Sequence, residues 1–192
     1  MRVINFMKFL LAGLLLITQS FTVFSMQKKE IYLAGGCYWG LEYLLQDLPG
    51  VLNTEVGFSG GSYENATYDD VKTGSTGHAE TIYISYDEKV ISLEQLLFEF
   101  FRMHNPTTKN QQGNDIGTQY RSAIFYLNDE QKQIANEVIT KVNKSGHWPD
   151  PVVTEVTPFH TFYAAQMDHQ DYIKKNPSGY SCHFVRDFSF TN

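Results

Sequence analysis

The stretch Ile31-Tyr32-Leu33-Ala34-Gly35-Gly36-Cys37-Tyr38-Trp39-Gly40 decides the fold. Its apolar start, Ile31 to Ala34, reads as a short buried strand, and the two glycines give a tight turn. From Cys37 to Leu48 the apolar residues Leu41, Leu44, Leu45 and Leu48 recur at helical spacing, and Pro49-Gly50 stops the run. Strand, turn and helix together place Cys37 in the first turn of the helix. Unpaired backbone N–H groups there favour negative charge, and thiolates so placed in other proteins have pKa values of roughly 3.5 to 7.5. Cys37 thus reads as a reactive thiol beside an aromatic wall of Tyr38 and Trp39. The competing reading is the commonest one for a free cysteine, a small buried hydrophobe. The glycines weigh towards reactivity, because they let another group come close to the backbone.

Outward from this stretch, Val51 to Phe58 reads as a strand. Ser59 to Thr76, rich in Gly, Ser, Asn and Asp, reads as a long loop carrying Tyr63 and Tyr68. A strand opens at Gly77-His78-Ala79-Glu80, with Glu80, Ile82, Ile84 and Tyr86 on one face and Thr81, Tyr83 and Ser85 on the other. Glu80 therefore falls on the core-side face. A buried carboxyl there has a raised pKa and holds its proton at neutral pH; a strand-end carboxylate reaching solvent is the plain alternative. Ser92 to Met103 is an amphipathic helix with a Ser92–Gln95 capping box and a stripe of Leu93, Leu96, Leu97, Phe100 and Phe101. Asn105 to Gln119 is a second long polar loop, with Asp115 between Gly113 and Gly117. It leads through Tyr120-Arg121 into a strand from Ser122 to Leu127. Asn128 caps a helix from Asp129 to Asn143 that Gly146 ends. Val152 to Val156 reads as a strand, Phe162 to Lys175 as a helix, and Ser178 to Asn192 as an irregular tail carrying Cys182. Interspersed strands and helices predict an α+β fold, a two-layer sandwich with an antiparallel component.

The chain has 192 residues, and the first 25 read as a cleavable export signal. Arg2 and Lys8 form its positive start, Phe9 to Ile17 its apolar centre, and the cut falls after Ser25. The apolar centre is short for a membrane span of about 20 residues. Residues 26–192 are enough for one domain with a full core. Losing Arg2 and Lys8, and no acid, moves the net charge from −6 to −8. A chain this acidic, without a basic patch, argues against nucleic acid as a partner. The two cysteines, Cys37 and Cys182, could pair in an oxidising compartment. No CxxC occurs, so neither a zinc ribbon nor a thioredoxin-type motif is supported.

Several motifs then resemble one family, the A-type peptide methionine sulfoxide reductases. They are Gly35-Gly36-Cys37-Tyr38-Trp39-Gly40, Thr67-Tyr68 before Val71, Gly74-x-x-Gly77-His78-Ala79-Glu80, Gly113-Asn114-Asp115-x-Gly117-Thr118-Gln119-Tyr120-Arg121-Ser122, Asp168-His169-Gln170-x-Tyr172 and Asn176-Pro177-x-Gly179-Tyr180. The resemblance implies a two-layer α/β sandwich with a ferredoxin-like mixed or antiparallel sheet. It implies repair of oxidised proteins by reducing the S epimer of methionine sulfoxide, free or protein-bound, to methionine. Cys37 would attack the sulfoxide sulfur, and Tyr38 and Trp39 would hold the substrate methyl. Glu80 would supply a proton, Tyr68 and Tyr120 would bind the oxygen, and Asp115 would be a supporting carboxylate. The family usually has Phe where Tyr38 stands. Its second thiol commonly follows Gly-Tyr directly, whereas Ser181 here precedes Cys182. Cys182 would resolve the Cys37 sulfenic acid to a disulfide. A thioredoxin-like reductant, or dithiothreitol, would reopen it, with no metal or other cofactor and a monomeric, periplasmic or secreted enzyme. Three alternatives stay open: a Cys–His hydrolase using His78, His160 or His169, an exported binding module with a permanent Cys37–Cys182 bridge, and a metal site of Cys37, His78 and Glu80.

Overall fold

The computed structural model describes residues 25–190, so the export signal read over residues 1–25 lies, except for Ser25, outside the described residues. The apolar stretch forms β1 (Lys28–Gly35), and α1 (Tyr38–Leu45) follows the turn. Then come β2 (Val51–Ser59), α2 (Tyr68–Val71), β3 (Ala79–Asp87) and α3 (Leu93–Met103). The second half carries β4 (Gln111–Gln112), β5 (Asp115–Ile116), β6 (Ser122–Tyr126), α4 (Asp129–Ser145), β7 (Glu155–Pro158), β8 (Phe162–Ala164) and α5 (Tyr172–Lys175).

One mixed sheet runs β7-β6-β1-β3-β2-β8. Its neighbours are antiparallel except β6 and β7, which run parallel. The succession β1-α1-β2-β3-α3-β6, with strand order β6-β1-β3-β2, makes its centre. Side chains alternate across β1: Ile31 and Leu33 enter the main core, and Tyr32 and Ala34 face the other way. Leu41 and Leu45 of α1, Leu96, Leu97, Phe100 and Phe101 of α3, and Ala135, Val138 and Val142 of α4 pack on that first face. Among the described residues, the opposite face holds a smaller cluster around Ala34, Ala79, Ala123 and Phe125. Helices on one face and strands beneath make the two-layer α+β arrangement.

Caps set the helix limits as the residues dictate. Ser92 Oγ accepts from Gln95 N–H, Asn128 Oδ1 accepts from Gln131 N–H, and Gly146 ends α4 at φ +73°. Four expectations need correction. Helix α1 ends at Leu45, three residues before Leu48. The two polar loops hold structure of their own, α2 in the first, and in the second the β4–β5 hairpin and a 3-10 turn at Thr118–Tyr120. Strand β7 starts at Glu155 and not Val152, because Val153 N–H donates to Pro106 O outside the sheet. Phe162 to Lys175 is not one helix. Phe162–Ala164 joins the edge of β2, where aromatic residues fit a pleated surface. Ala165 N–H donates to Val56 O at 2.9 Å, and the Gln170 side chain closes the end of the pairing by bonding both backbone groups of Val56, at 2.8 Å each.

Strand β8 reaches that edge because Gly57 has no side chain. A Cβ there would stand 2.3 Å from the carbonyl oxygen of Tyr163. Gly57→Ala must push backbone against backbone, so we expect a loss of about 1–3 kcal/mol, read as a lower denaturant midpoint at unchanged slope. A variant as stable as the parent would contradict the tight β2–β8 pairing.

Candidate active site

Antiparallel pairing brings the end of β1, the end of β2 and the starts of β3 and β6 to one edge of the sheet. Gly36, at φ +101°, turns the chain there, and a side chain on it would strike Gln112 Cγ at 2.5 Å. Cys37 follows as the N-cap residue of α1, 7% exposed. Glu80, at the start of β3 and 2% exposed, stands under the same helix start, and Tyr38 N–H donates to its Oε2 at 3.1 Å. Its core-side placement agrees with the period-two reading of β3.

Burial pushes the Glu80 carboxyl up to about 8; the Tyr38 amide opposes this and the Asp115 charge adds to it. Glu80 is therefore largely protonated at neutral pH. The expected depression of the Cys37 pKa is not found. Burial, and then the Glu80 charge, push the thiol well above its ordinary value, and the Trp39 amide only partly offsets them. The helix start is real, but a dry sulfur beside a carboxyl is no resting thiolate.

The aromatic wall is built around His169. Trp39 Nε1–H donates to His169 Nδ1 at 3.2 Å, so that nitrogen accepts, and Tyr38 O–H donates to it at 2.9 Å. Burial lowers the His169 pKa and keeps the lone pair available. Trp39 stacks on Tyr172 with ring centroids 3.8 Å apart, and the Tyr68 ring lies 4.4 Å from His169. Tyr68 opens α2, and Tyr120 closes the 3-10 turn. Neither hydroxyl has a hydrogen-bond partner among the described residues. Burial and the Glu80 charge raise both phenols, so both are neutral donors.

Asp115, on β5, faces the tail. Its Oδ2 accepts from Cys182 S–H at 3.3 Å and from Tyr180 O–H at 3.4 Å. Both cysteines are free thiols. Burial and the Asp115 hydrogen bond push Cys182 up to about 12, while the Cys37 amide pulls the other way. The second cysteine thus lies near the backbone of the first.

The open alternatives fare poorly. His78 spends both ring nitrogens on Gly61 N–H and Tyr63 O, His160 is exposed, and His169 serves the aromatic wall. Among the described residues, no group of three or more His, Cys, Asp or Glu could hold a metal. Sequence reasoning missed three groups. Glu42, buried on α1, accepts from Asp171 N–H at 3.0 Å and is raised to about 7 by burial. His169 as the hub of the wall, and His183 beside Cys182, were also hidden; only the motif around His169 gave a signal.

What this arrangement offers is a buried thiol, a neutral acid, two phenolic donors, an apolar wall and a second thiol within one edge. Residues 29–191 match the family described as peptide methionine sulfoxide reductase. A peptide methionine sulfoxide reductase MsrA 1 from Mesorhizobium japonicum is 54% identical over 158 residues, covering 82% of this chain and 90% of the relative. Among solved structures, Saccharomyces cerevisiae Mxr1 in reduced form superposes with a TM-score of 0.79 at 36% identity, covering 83% of this chain and 93% of the other. Methionine sulfoxide reductase A of Corynebacterium diphtheriae gives 0.71 at 36% identity, covering 80% and 77%. With family match, relatives and fold in agreement, the chain belongs to the peptide methionine sulfoxide reductases, oxidoreductases that return methionine sulfoxide to methionine.

Proposed function

We propose that this enzyme reduces the S epimer of methionine sulfoxide, free and in proteins, through a sulfenic acid on Cys37. The observation that carries the reading is the neutral Glu80 carboxyl beside the Cys37 sulfur at one helix start. A sulfoxide oxygen leaves poorly unless it is protonated. Glu80 delivers that proton, Tyr68 and Tyr120 donate to the same oxygen, and the methyl rests against Tyr38 and Trp39. The Cys37 sulfur attacks the sulfoxide sulfur as its own proton passes to Glu80. Methionine leaves reduced by two electrons, and Cys37 is left as S–OH.

Cys182 then displaces the hydroxyl, giving a Cys37–Cys182 disulfide and water, with Asp115 holding the incoming thiol and Tyr180. A thioredoxin-like dithiol reopens the bridge by exchange. That partner is supported by the solved complex of Saccharomyces cerevisiae Mxr1 with Trx2, a fold likeness with a TM-score of 0.57 at 24% identity. We place the enzyme, residues 26–192, outside the cytoplasm, on the export signal read in residues 1–25. No helix of the described residues is long and apolar enough to cross a membrane.

The deciding assay supplies separated S and R epimers of a methionine sulfoxide peptide with dithiothreitol. Turnover of S alone is expected, and equal turnover of both would overturn the epimer assignment. One equivalent of the S peptide without reductant should yield a Cys37–Cys182 bridge by mass spectrometry. A persistent sulfenic acid with Cys182 free would remove the resolving thiol.

A further inference from the structure

The tail places a second titratable group on the Cys182 sulfur. His183 is buried, and its Nε2 lies 2.8 Å from the carbonyl oxygen of Gly35, at the end of β1. A carbonyl oxygen can only accept, so Nε2 carries the ring proton and Nδ1 keeps its lone pair. That lone pair lies 3.4 Å from Cys182 Sγ. The ring is fixed from behind, with a basic nitrogen against the sulfur.

The resolving step needs such a group. Cys182 is held up to about 12, so a thiolate formed in advance is scarce at neutral pH. The rival proton acceptor, Asp115 Oδ2, is already shared with Tyr180, and its negative charge opposes a thiolate growing 3.3 Å away. An imidazolium at 3.4 Å would instead attract that charge. The other groups facing His183 are Arg186, which lowers its proton affinity, and His104. Burial keeps His183 down to about 4, so Nδ1 stays unprotonated through the working range.

We propose that His183 is the general base of the resolving step, its Nδ1 taking the Cys182 proton as that sulfur attacks the Cys37 sulfenic acid. This rests on the reading of Cys182 as the resolving thiol. The Cys182 S–H bond breaks towards Nδ1, the Cys182–Cys37 bond forms, and the Cys37 S–O bond breaks. The oxygen leaves as water with a proton from the Glu80 carboxyl, and the imidazolium releases its proton to solvent, from which Glu80 is recharged. Cys182 is oxidised and the sulfenic sulfur of Cys37 is reduced, so no outside oxidant enters.

The test is single turnover with the S-sulfoxide peptide, no reductant, and quenched mass spectrometry of the bridge between pH 6 and 7.5. His183→Gln keeps an amide donor for Gly35 O but has no basic nitrogen. We expect parent bridge formation to vary less than about threefold across this range. The variant should form the bridge about 10²–10⁴-fold more slowly at pH 7, with a rate rising about tenfold per pH unit as free thiolate becomes the nucleophile. The burst of one methionine per enzyme should be unchanged, which shows the Cys37 site intact. A variant that forms the bridge at the parent rate and pH profile overturns the base while leaving Cys182 as the resolving thiol. Loss of the burst would assign His183 to the first step and equally overturn the proposal. No bridge in the parent overturns Cys182 as resolver, and the base with it.

Discussion

Cys37→Ser is expected to lower methionine sulfoxide turnover by at least about 10⁴-fold, the scale of loss when a covalent nucleophile is removed. The chemistry is specific to sulfur. The reaction needs an atom that can attack a sulfoxide sulfur, accept its oxygen and return to the starting state by disulfide exchange. A serine hydroxyl at the same N-cap position can do none of these. The change is small in volume and sits at a cap where Ser is favoured, so the fold should persist. Binding of the sulfoxide peptide should persist too, because Tyr38, Trp39, Tyr68 and Tyr120 are untouched. Steady-state assays with dithiothreitol and calorimetric titration of the peptide separate the two. Residual activity above about 1% of the parent would show that another group does the chemistry.

Glu80→Gln should cost about 10²–10⁴-fold, the range for losing a positioned acid. Gln retains an oxygen for Tyr38 N–H, which now meets Oε2 at 3.1 Å, and loses only the proton. The parent has its carboxyl raised to about 8, so the active acid form persists through neutral pH. Parent kcat/KM should be level below pH 8 and fall about tenfold per unit above it; the variant should lack that alkaline limb. Stability carries the matching sign. A carboxyl raised from 4.5 to about 8 binds its proton more tightly when folded, so its stabilising contribution is present below the unfolded value and is lost as pH rises towards 8. Glu80→Gln should therefore gain on the parent in denaturant midpoint at pH 9 relative to pH 6. An unchanged alkaline limb in the variant would assign that titration to another group.

Local rules made much of the scaffold legible. The Ser92–Gln95 box, the Asn128 cap and the Gly146 stop each lie within a few residues of what they control. Period-two alternation in β3 put Glu80 on the core face before any partner was known. Failure came where distant segments decide. Phe162 to Lys175 reads as a helix, but the open backbone at Gly57 and the Gln170 bonds to Val56 draw its start into the sheet edge. The sign of the Cys37 shift depends on burial and on Glu80, which outweigh the helix start. His183 has no sequence pattern at all, since its partners, Gly35 and Cys182, lie 148 positions away and next door.

The loop 176–185 is pinned at both ends. Tyr172 stacks on Trp39 before it, and after it Arg186 N–H donates to Arg102 O while the Arg186 guanidinium lies 4.6 Å over Trp148. Cys182 is thus confined near Cys37 at an effective concentration on the order of millimolar or higher. A sulfenic acid formed on Cys37 meets a tethered thiol first. Its lifetime is set by that tether and not by the supply of dissolved thiol, and a second oxidising hit, to the irreversible sulfinic acid, has to compete with an intramolecular reaction.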